Sequence, residues 1–441
     1  MLYDHQAFTG QKFGGISRYF YELMKHSKDL FEYDVSGIYS ENEYVKTLRL
    51  YKEFPLRFNF KGKMRIINYL NKSNSIKKIK HNNYDIIHPT YYDPYLLKIL
   101  KKPPLVIDVH DMIYEKTPEY FNKNDNTSEN KKEYFIKADA IIANSQKTKE
   151  DLLHTHSEIP EKKVSVIYRG EVLPVKKSPQ IAEKQNYILF TGQRGGYKNF
   201  DKFIEAIAPL LVRYDLRLIC TGQVFTRKEI TLLSQYKIED RTVSKFVSEN
   251  ELQNIYAKAL LFVFPSLYEG FGFPILEAFA SGCPAILSNA SCFPEIAEDA
   301  AAYFDPYSIE DMRQVIEKVL LDNLLRSMLI EKGFQRIKYF SWEKTTKQTH
   351  ELYCKVLSNP PTHKVRLVLT IYDMIHELFP EFFSYSDNTI FNKYMMMRNA
   401  DKIIAISKNT KMDIIKIYPE IDEKKIEVIY FGTSFNTKEC A

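Results

Sequence analysis

Cysteine is scarce in this sequence, and its few copies form no recognisable motif. The five cysteines are Cys220, Cys283, Cys292, Cys354 and Cys440. No two of them are spaced as in a CxxC pair, and no spacing is typical of metal ligands. We therefore expect reduced thiols in a cytosolic protein, without a disulfide framework or a zinc site.

Long apolar runs are also missing. No stretch of about 18 consecutive apolar residues occurs, and the N-terminal "MLYDHQAF" lacks the apolar segment of a secretory signal. Hydrophobic residues make up 44% of the chain and charged residues 27%, as in ordinary globular proteins. We expect a cytoplasmic protein that is neither secreted nor membrane-spanning, and 441 residues suggest two domains plus an additional segment.

A strong excess of one charge sign is absent overall but present locally. The net charge is only +6, yet the basic segment, residues 46–80, contains eleven Lys or Arg and one acid, Glu53. Peripheral contact with the anionic inner face of the cytoplasmic membrane is one interpretation, at about 1 kcal/mol per basic residue. A polyanionic acceptor and a solvated helix and loop are the alternatives. Nucleic-acid binding is not expected, because no recognised nucleic-acid module accompanies the charge.

Short apolar runs alternate with amphipathic segments, which is typical of a parallel α/β sheet. The first series of candidate strands runs from "YDVSGIY" to "VSVIY", and the second runs from "YILFTG" to "AAYFD". A polar, proline-bearing stretch near residues 172–186 separates the two series. The pattern predicts an α/β protein with two Rossmann-like domains, at residues 1–175 and 183–358.

The end of the chain repeats part of its beginning. Residues 105–170 reappear as residues 367–432 at a constant offset, so that "ADAIIANSQKTKEDLL" matches "ADKIIAISKNTKMDII". About half of the paired positions are identical. We interpret residues 364–441 as a partial duplicate of residues 102–179 rather than as a repeat array. The duplicate has no counterpart of residues 1–100 and so carries apolar strands without their sheet partners; we expect it to be poorly stable unless it docks somewhere.

The stretch "LYEGFGFPILEAFASGCP", residues 267–284, carries the clearest chemistry. Gly270 and Gly272 allow close approach of the backbone to a ligand, and Pro274 suits the first position of a helix. A helix N-terminus attracts phosphate. Glu277 is then predicted in the first turn, near a ribose, and Glu269 near sugar hydroxyls. A strand, loop and helix with surface acids is the alternative.

This stretch resembles the signature of retaining glycosyltransferase family 4, as do "TGQRGGYKNFDKFIEA" and "YDHQAFTGQKFGGISRYFYEL". The resemblance covers nearly all of residues 1–357 and is strongest to bacterial mannosyltransferase-like enzymes of O-antigen or capsule synthesis. It implies the GT-B fold, in which two Rossmann-like domains face each other and the C-terminal one binds the donor.

The resemblance also implies roles for individual residues. Arg194 and Lys198 neutralise the donor diphosphate, whereas His110 contacts the transferred sugar near its reacting carbon; surface charges and a core histidine are the alternatives. His88 and Tyr91 are expected in the interdomain cleft. The catalytic residues predicted are His110 and Glu269. The donor-binding residues predicted are Gly14, Gly15, Arg194, Lys198, Val247, Ser248, Gly270, Phe271, Gly272 and Glu277.

The expected function is that of a retaining hexosyltransferase that needs no metal or other cofactor. Its donor is a nucleotide-sugar such as GDP-mannose, and its acceptor is a lipid-linked or oligosaccharide glycan in surface-polysaccharide synthesis. Two alternatives stay open: a non-catalytic nucleotide-sugar-binding or assembly protein, and a non-hydrolysing sugar epimerase with the same two-domain architecture. The duplicate lacks the glycine and glutamate motifs, so we expect no second active site.

Overall fold

The computed structural model describes the chain except at residues 11, 56–57, 59, 82, 101–102, 172, 174–182, 359–366, 385–386 and 431–441, and the side chains of residues 249–250. Its contacts divide the chain into two compact units, Met1–Leu352 and Tyr353–Ala441, called here the first and second units. The predicted interdomain linker lies mostly outside the described residues, so the boundary between residues 175 and 183 stays a prediction.

The first half of the first unit is a parallel α/β layer. Its strands are β1 Leu2–Tyr3, β2 Asp34–Val35, β3 Ile87–His88, β4 Val106–Val109, β5 Ala140–Ala143 and β6 Val164–Val166. Its helices are α1 Gln6–Gly10, α2 Gly15–His26, α3 Glu43–Thr47, α4 Lys63–His81, α5 Ile113–Lys116, α6 Thr127–Lys137 and α7 Gln146–Thr155. The strand orders are β2-β1-β3 and β4-β5-β6. A parallel bridge between Ile87 and Leu105 joins the two sets.

The second half of the first unit contains one six-stranded parallel sheet, in the order β12-β11-β10-β7-β8-β9. Its strands are β7 Gln185–Thr191, β8 Arg217–Thr221, β9 Thr242–Lys245, β10 Ala259–Phe264, β11 Ala285–Ser288 and β12 Ala301–Phe304. Its helices are α8 Phe200–Arg213, α9 Arg227–Gln235, α10 Glu249–Lys258, α11 Phe273–Ala280, α12 Phe293–Ala297, α13 Ile309–Leu321 and α14 Asn323–Arg336, and α15 Trp342–Ser358 follows.

Apolar periodicity explains why the helices of this half cover the sheet. In α8, Phe203, Ile204, Ile207 and Leu211 recur at helical spacing and are all buried. They pack with strand residues in one of two apolar clusters of this half. The strands consist of continuous apolar runs because parallel strands between two helical layers are buried on both sides. The carboxyl ends of the strands are thereby held at one edge, where ligands bind in such sheets.

The second unit is a smaller parallel α/β layer. Its strands, in the order β13-β14-β15, are β13 Val368–Ile371, β14 Lys402–Ala405 and β15 Ile426–Val428. Its helices are α16 Ile375–Leu378, α17 Thr389–Asn399 and α18 Lys408–Ile417. Each of these six elements begins and ends 262 residues after its counterpart among β4, α5, α6, β5, α7 and β6. The duplication predicted from the sequence is therefore confirmed at the level of secondary structure.

No helix in the described part of the chain is both long enough and apolar enough to cross a membrane.

Candidate active site

The glycine loop, residues 268–272, connects the end of β10 to α11. Gly272 precedes the helix with a φ of +91°, a left-handed conformation that suits glycine. Phe273 is therefore the first residue of α11 and Pro274 the second, one position later than predicted. This start places Glu277 in the second turn, so its predicted first-turn position is wrong.

Glu277 is nevertheless held at the carboxyl edge of the sheet. Its side chain is largely buried, and its Oε2 accepts a hydrogen bond of 3.0 Å from the Tyr256 hydroxyl. The same hydroxyl lies 3.1 Å from Oγ1 of Thr191, at the end of β7. The sequence analysis missed Tyr256, whose apolar position in α10 resembles any core aromatic. The three side chains form a polar chain that presents a carboxylate to the site.

Lys198 and Glu269, predicted to hold the donor diphosphate and the sugar, contact each other in this structure. The Lys198 Nζ lies 2.5 Å from the Glu269 Oε1, and both side chains are about 15% exposed. The Ser291 hydroxyl supports the loop by donating to the Glu269 carbonyl oxygen at 2.6 Å. A second link joins the Leu267 amide to the Tyr197 carbonyl oxygen at 2.7 Å. The Lys198 ammonium, the predicted phosphate-binding cation, is thus paired with the Glu269 carboxylate in this structure.

Arg194 is anchored by a residue that the sequence analysis missed. Its Nε donates to Glu229 Oε1 at 2.7 Å, and its Nη2 donates to the Gln223 and Val224 carbonyl oxygens. Partial burial alone raises the pKa of Glu229, but the hydrogen bonds from Arg194 and Thr226, together with the Arg194 charge, outweigh burial and hold that pKa below its usual value. The remaining nitrogen, Nη1, is buried and has no hydrogen-bond partner among the described residues. That nitrogen keeps an N–H available to a ligand.

Two glycines leave room beside this nitrogen. Gly192 and Gly222 follow adjacent strands β7 and β8 and have φ values of +97° and +124°. A Cβ on Gly222 would lie 3.1 Å from the Gly192 carbonyl oxygen and 3.9 Å from Nη1 of Arg194. Larger residues would therefore be strained there and would crowd the arginine. The space beside Nη1 is kept free of side chains by the backbone itself.

His110 lies at the carboxyl end of β4, half-buried among aromatic rings. Tyr19, Phe20 and Tyr92 have ring centroids between 6.0 and 6.3 Å from its own. Burial lowers the pKa of the imidazole to about 4, against a smaller opposing effect of Asp108. The ring is therefore neutral near pH 7 and is able both to donate and to accept a hydrogen bond.

Gly270 packs directly on the backbone of His110. A Cβ on Gly270 would lie 1.9 Å from the His110 carbonyl oxygen, a distance that no side chain tolerates. The carbonyl oxygen of Gly270 accepts hydrogen bonds from the hydroxyls of Ser145 at 2.8 Å and Thr148 at 3.1 Å. Contact between the two halves of the first unit thus requires a glycine here, and the predicted access of its backbone to a ligand stays a prediction.

A carboxylate adds a second link between the halves. Glu295 accepts hydrogen bonds from the backbone amides of Gln146 at 2.6 Å and Lys147 at 2.9 Å, at the N-terminus of α7. Such a position favours negative charge. Glu295 was not singled out from the sequence, because its partner amides are 149 and 148 residues away.

The two predicted glycines of the first half lie near the start of α11. Gly14 precedes α2 in an extended conformation, and Gly15 is the first residue of that helix. A Cβ on Gly15 would lie 3.4 Å from the Phe273 ring. The first residues of α2 and α11 therefore lie close together, and each N-terminus carries the positive end of a helix dipole.

His88 does not lie in a cleft, and that expectation is wrong. Its ring is fully buried, and its Nε2 lies 2.7 Å from Oδ2 of Asp108. Arg169, also buried, donates to Asp108 Oδ1 at 2.8 Å, and its guanidinium lies 3.3 Å from the Tyr19 ring centroid. Burial alone raises the pKa of Asp108, but Arg169 and His88 lower it by a larger amount. The pKa is therefore below its usual value, and the carboxylate stays charged. This buried network supports β4 from behind His110.

The remaining predicted donor residues are less informative. Ser248 caps α10 through a reciprocal capping box with Glu251, as the sequence pattern indicates. Val247 precedes it and is partly exposed. Phe271 is buried against Phe340, so only its backbone is available to a ligand.

The basic segment is less free than its composition indicates. Several of its cations pair with acids outside it: Lys46 with Glu43, Lys63 with Glu41, Lys72 with Asp93 and Lys78 with Asp34. Phe58 and Tyr69 are 63% and 72% exposed. A surface with exposed rings and a reduced excess of charge remains, and membrane contact stays a prediction.

Two family models match the first unit. "Glycosyltransferase Family 4" matches residues 13–170, and "Glycosyl transferases group 1" matches residues 174–336. The O-antigen chain mannosyltransferase B of Escherichia coli is 32% identical over 193 residues, 42% of this chain and 49% of that relative. The O-antigen chain mannosyltransferase RfbU of Salmonella typhimurium is 28% identical over 244 residues, 55% of this chain and 66% of that relative. The chain thus spans less than two thirds of either relative.

Solved structures agree on the fold. The Anabaena protein HepE, solved in complex with UDP and glucose, superposes with a TM-score of 0.61 over 80% of this chain and 98% of its own, at 16% identity. Two parallel α/β layers in the first unit and this superposition show the GT-B fold, and the predicted fold class is confirmed. By these two matches the chain resembles glycosyltransferase family 4 over most of its first unit.

Proposed function

We propose that this chain is a retaining glycosyltransferase that moves mannose from GDP-mannose onto a lipid-linked or oligosaccharide acceptor in surface-polysaccharide synthesis. The names of the two O-antigen mannosyltransferases support the sugar and the process. The complex of HepE with UDP and glucose supports a nucleotide-sugar donor. The observation that carries the proposal is the contact of Gly270 with the His110 carbonyl, because it brings the donor loop and the acceptor-side histidine together.

The donor diphosphate is proposed to bind where positive ends and cations converge. The N-terminus of α11, Nη1 of Arg194 and the Lys198 ammonium supply donors and positive charge to the leaving group without a metal ion. When the donor binds, the Lys198 ammonium leaves the Glu269 carboxylate and pairs with the diphosphate instead. Glu269 is then free to accept hydrogen bonds from the sugar, while Glu277 accepts from the ribose. Val247 and Ser248 lie beside the base in this arrangement.

The transfer step is proposed to proceed on one face of the sugar. The bond from the anomeric carbon to the diphosphate oxygen breaks, and the acceptor oxygen bonds to that carbon on the same side. The acceptor proton passes to the departing phosphate oxygen. The neutral His110 ring orients the reacting sugar by hydrogen bonding and requires no change of charge near pH 7.

A screen of nucleotide-sugars against a lipid-linked acceptor tests this proposal. We expect transfer from GDP-mannose, with the product in the same anomeric configuration as the donor. Lys198→Ala and Glu269→Ala are each expected to lower kcat/KM by about 10²–10³. Lys228→Ala is the matched control, because Lys228 is 82% exposed and pairs only with surface Asp201. Full activity in both site variants would overturn the site assignment.

One observation favours the non-catalytic alternative. Both predicted diphosphate cations are already paired with carboxylates, Arg194 with Glu229 and Lys198 with Glu269. A nucleotide-sugar-binding protein would retain donor affinity without transferring the sugar. Donor binding by calorimetry with no transfer to any acceptor would support that alternative. An epimerised nucleotide-sugar in the reaction mixture would identify the epimerase instead.

A further inference from the structure

The second unit exposes an apolar face that is buried in the first unit. Val106 and Ile113 are 0% and 6% exposed, whereas their duplicates Val368 and Ile375 are 52% and 48% exposed. Met396, the duplicate of buried Tyr134, is 44% exposed. The side chains are the same or similarly apolar. The difference therefore lies in what covers them.

Residues 86–96 provide part of that cover in the first unit, where Tyr92 and Leu96 belong to the same apolar cluster as Ile113 and Tyr134. Ile87 forms a parallel bridge with Leu105, next to β4, and its amide donates to the Pro104 carbonyl oxygen at 3.0 Å. Tyr92 and Leu96 follow and join the apolar cluster of the β4-β5-β6 layer. The cover thus consists of a short strand followed by aromatic and apolar anchors.

Tyr92 is the central anchor, and its contacts define a socket. Its hydroxyl donates to the Asp108 carbonyl oxygen at 2.8 Å and accepts from the His110 amide at 3.2 Å. The Lys131 ammonium lies 5.9 Å from the ring centroid, and the Tyr134 ring lies 6.3 Å from it. Tyr92 itself is only 4% exposed. Two backbone groups, one cation and several aromatic rings therefore surround it.

The second unit contains a cavity at the corresponding place, with a volume of about 410 Å³. Among the residues that line it are the duplicates of Asp108, His110, Lys131 and Tyr134, namely Thr370, Tyr372, Lys393 and Met396. Because two of the contacts in the first unit are to backbone atoms, replacing Asp108 by Thr370 does not remove the carbonyl acceptor. The cavity is the duplicate of the Tyr92 socket.

The strand edge beside this socket is also open. The second unit has the order β13-β14-β15, so β13 is an edge strand, and no described strand pairs with its outer side. In the first unit the corresponding edge of β4 adjoins the bridge to Ile87. Exposed edges pair readily with added strands.

We propose that the second unit binds an extended segment of a different polypeptide, with a short apolar strand along β13 and a tyrosine in the socket. This mode combines strand addition with an aromatic anchor. A second copy of this chain is not the partner, because its own Ile87, Tyr92 and Leu96 are at most 4% exposed in the first unit. The partner carries a counterpart of residues 86–96: two apolar strand residues followed by a tyrosine about five positions later.

A synthetic peptide of residues 83–98 with a fluorescent label is a direct probe. Added to the full chain, it is expected to bind saturably at one site, measured by fluorescence anisotropy. The same peptide with Tyr92→Ala is expected to bind at least about tenfold more weakly, because loss of an aromatic anchor removes a dominant contact. This arm leaves the protein unchanged, so it is independent of folding defects. Absence of saturable binding would overturn the proposal.

Two protein variants locate the site. Met396→Asp, on α17 at the socket, is expected to weaken binding at least about tenfold, because it places a charge where the apolar ring of the bound tyrosine would pack. Met412→Asp is the matched control on α18, because Met412 is 67% exposed and does not line the cavity. Hydrogen exchange is expected to show peptide protection at Leu369–Ile371. Equal binding by both variants, or protection of β4 instead through exchange into the first unit, would refute the assignment.

Discussion

Residues 105–166 and 367–428 share one backbone plan but stand in different surroundings. The register of β4 on β5 pairs Val106 with Ala140, and that of β13 on β14 pairs Val368 with Lys402, at the same spacing. Local features recur as well: Ser145 caps α7 and Ser407 caps α18. The first copy is covered by residues 86–96 and by the glycine loop, and the second copy contains neither. Local sequence thus determines the helices and strands of both copies, whereas the proposed function depends on the residues that pack over the first copy.

The two copies also differ in the residues of the candidate site. His110 and Asp108 of the first copy become Tyr372 and Thr370 in the second. The buried carboxylate and the half-buried imidazole are lost, while the caps and the apolar strand residues stay. The second copy, which lacks the facing glycine loop, thus also lacks the histidine and the buried carboxylate of the candidate site. The comparison is open to direct tests because Trp342, the single tryptophan, is buried in the first unit and reports its unfolding.

Removal of the buried carboxylate is expected to have the largest effect. Asp108→Ala leaves the Arg169 charge uncompensated in the interior, which costs about 3–5 kcal/mol of the free energy of unfolding. Thr370→Ala at the duplicate position is expected to change the Trp342 transition by less than about 0.5 kcal/mol. Urea unfolding followed by Trp342 emission measures both. Equal shifts in the two variants would contradict the difference in surroundings.

An identical residue pair tests burial alone. Ile113→Ala is expected to destabilise the first unit by about 2–4 kcal/mol, because a buried side chain is removed and a cavity remains. Ile375→Ala, at 48% exposure, is expected to leave the Trp342 transition unchanged and to lower the stability of the second unit by less than about 1 kcal/mol. Hydrogen exchange at β14 reads the second unit. A large loss there would show that the apolar face is covered.

The contact of Gly270 with His110 has no equivalent in the second unit. Gly270→Ala places a Cβ 1.9 Å from a carbonyl oxygen, so the loop or β4 has to shift. We expect a loss of about 1–3 kcal/mol in stability and a fall of about 10² in transfer rate, because the site loses its alignment. Gly195→Ala is the control, since a Cβ there meets nothing within 4 Å. A variant as active as the control would show that the contact is dispensable.

The smallest expected effect is on acid stability. The pKa of Asp108 is lowered on folding, so its contribution is fully present above the unfolded pKa of about 4 and is lost as the pH falls below it. Asp108→Asn removes this titration. The Trp342 transition of the unaltered chain is therefore expected to lose stability more steeply between about pH 5 and pH 3 than that of the variant. Parallel pH profiles would argue against a charged Asp108.

Part of this structure follows from the sequence alone. The duplication and the alternation of strands and helices are visible because they are local patterns. Lys198 and Glu269 were both assigned to the donor site by motif, and they contact each other. The roles of Gly270, Glu229 and Glu295 were not foreseen, because each depends on a partner brought close only by the folded chain. His88 was misplaced for the same reason: its buried partner Asp108 lies on the neighbouring strand.

Sugar transfer is proposed to take place in the first unit, and the duplicate is expected to contribute no second active site. The direct measurement is transfer from GDP-mannose to a lipid-linked acceptor by the full chain carrying either His110→Ala or Tyr372→Ala. These are matched positions 262 residues apart. We predict a fall of about 10² or more for His110→Ala and no change for Tyr372→Ala. Equal losses, or a loss confined to Tyr372→Ala, would contradict the account.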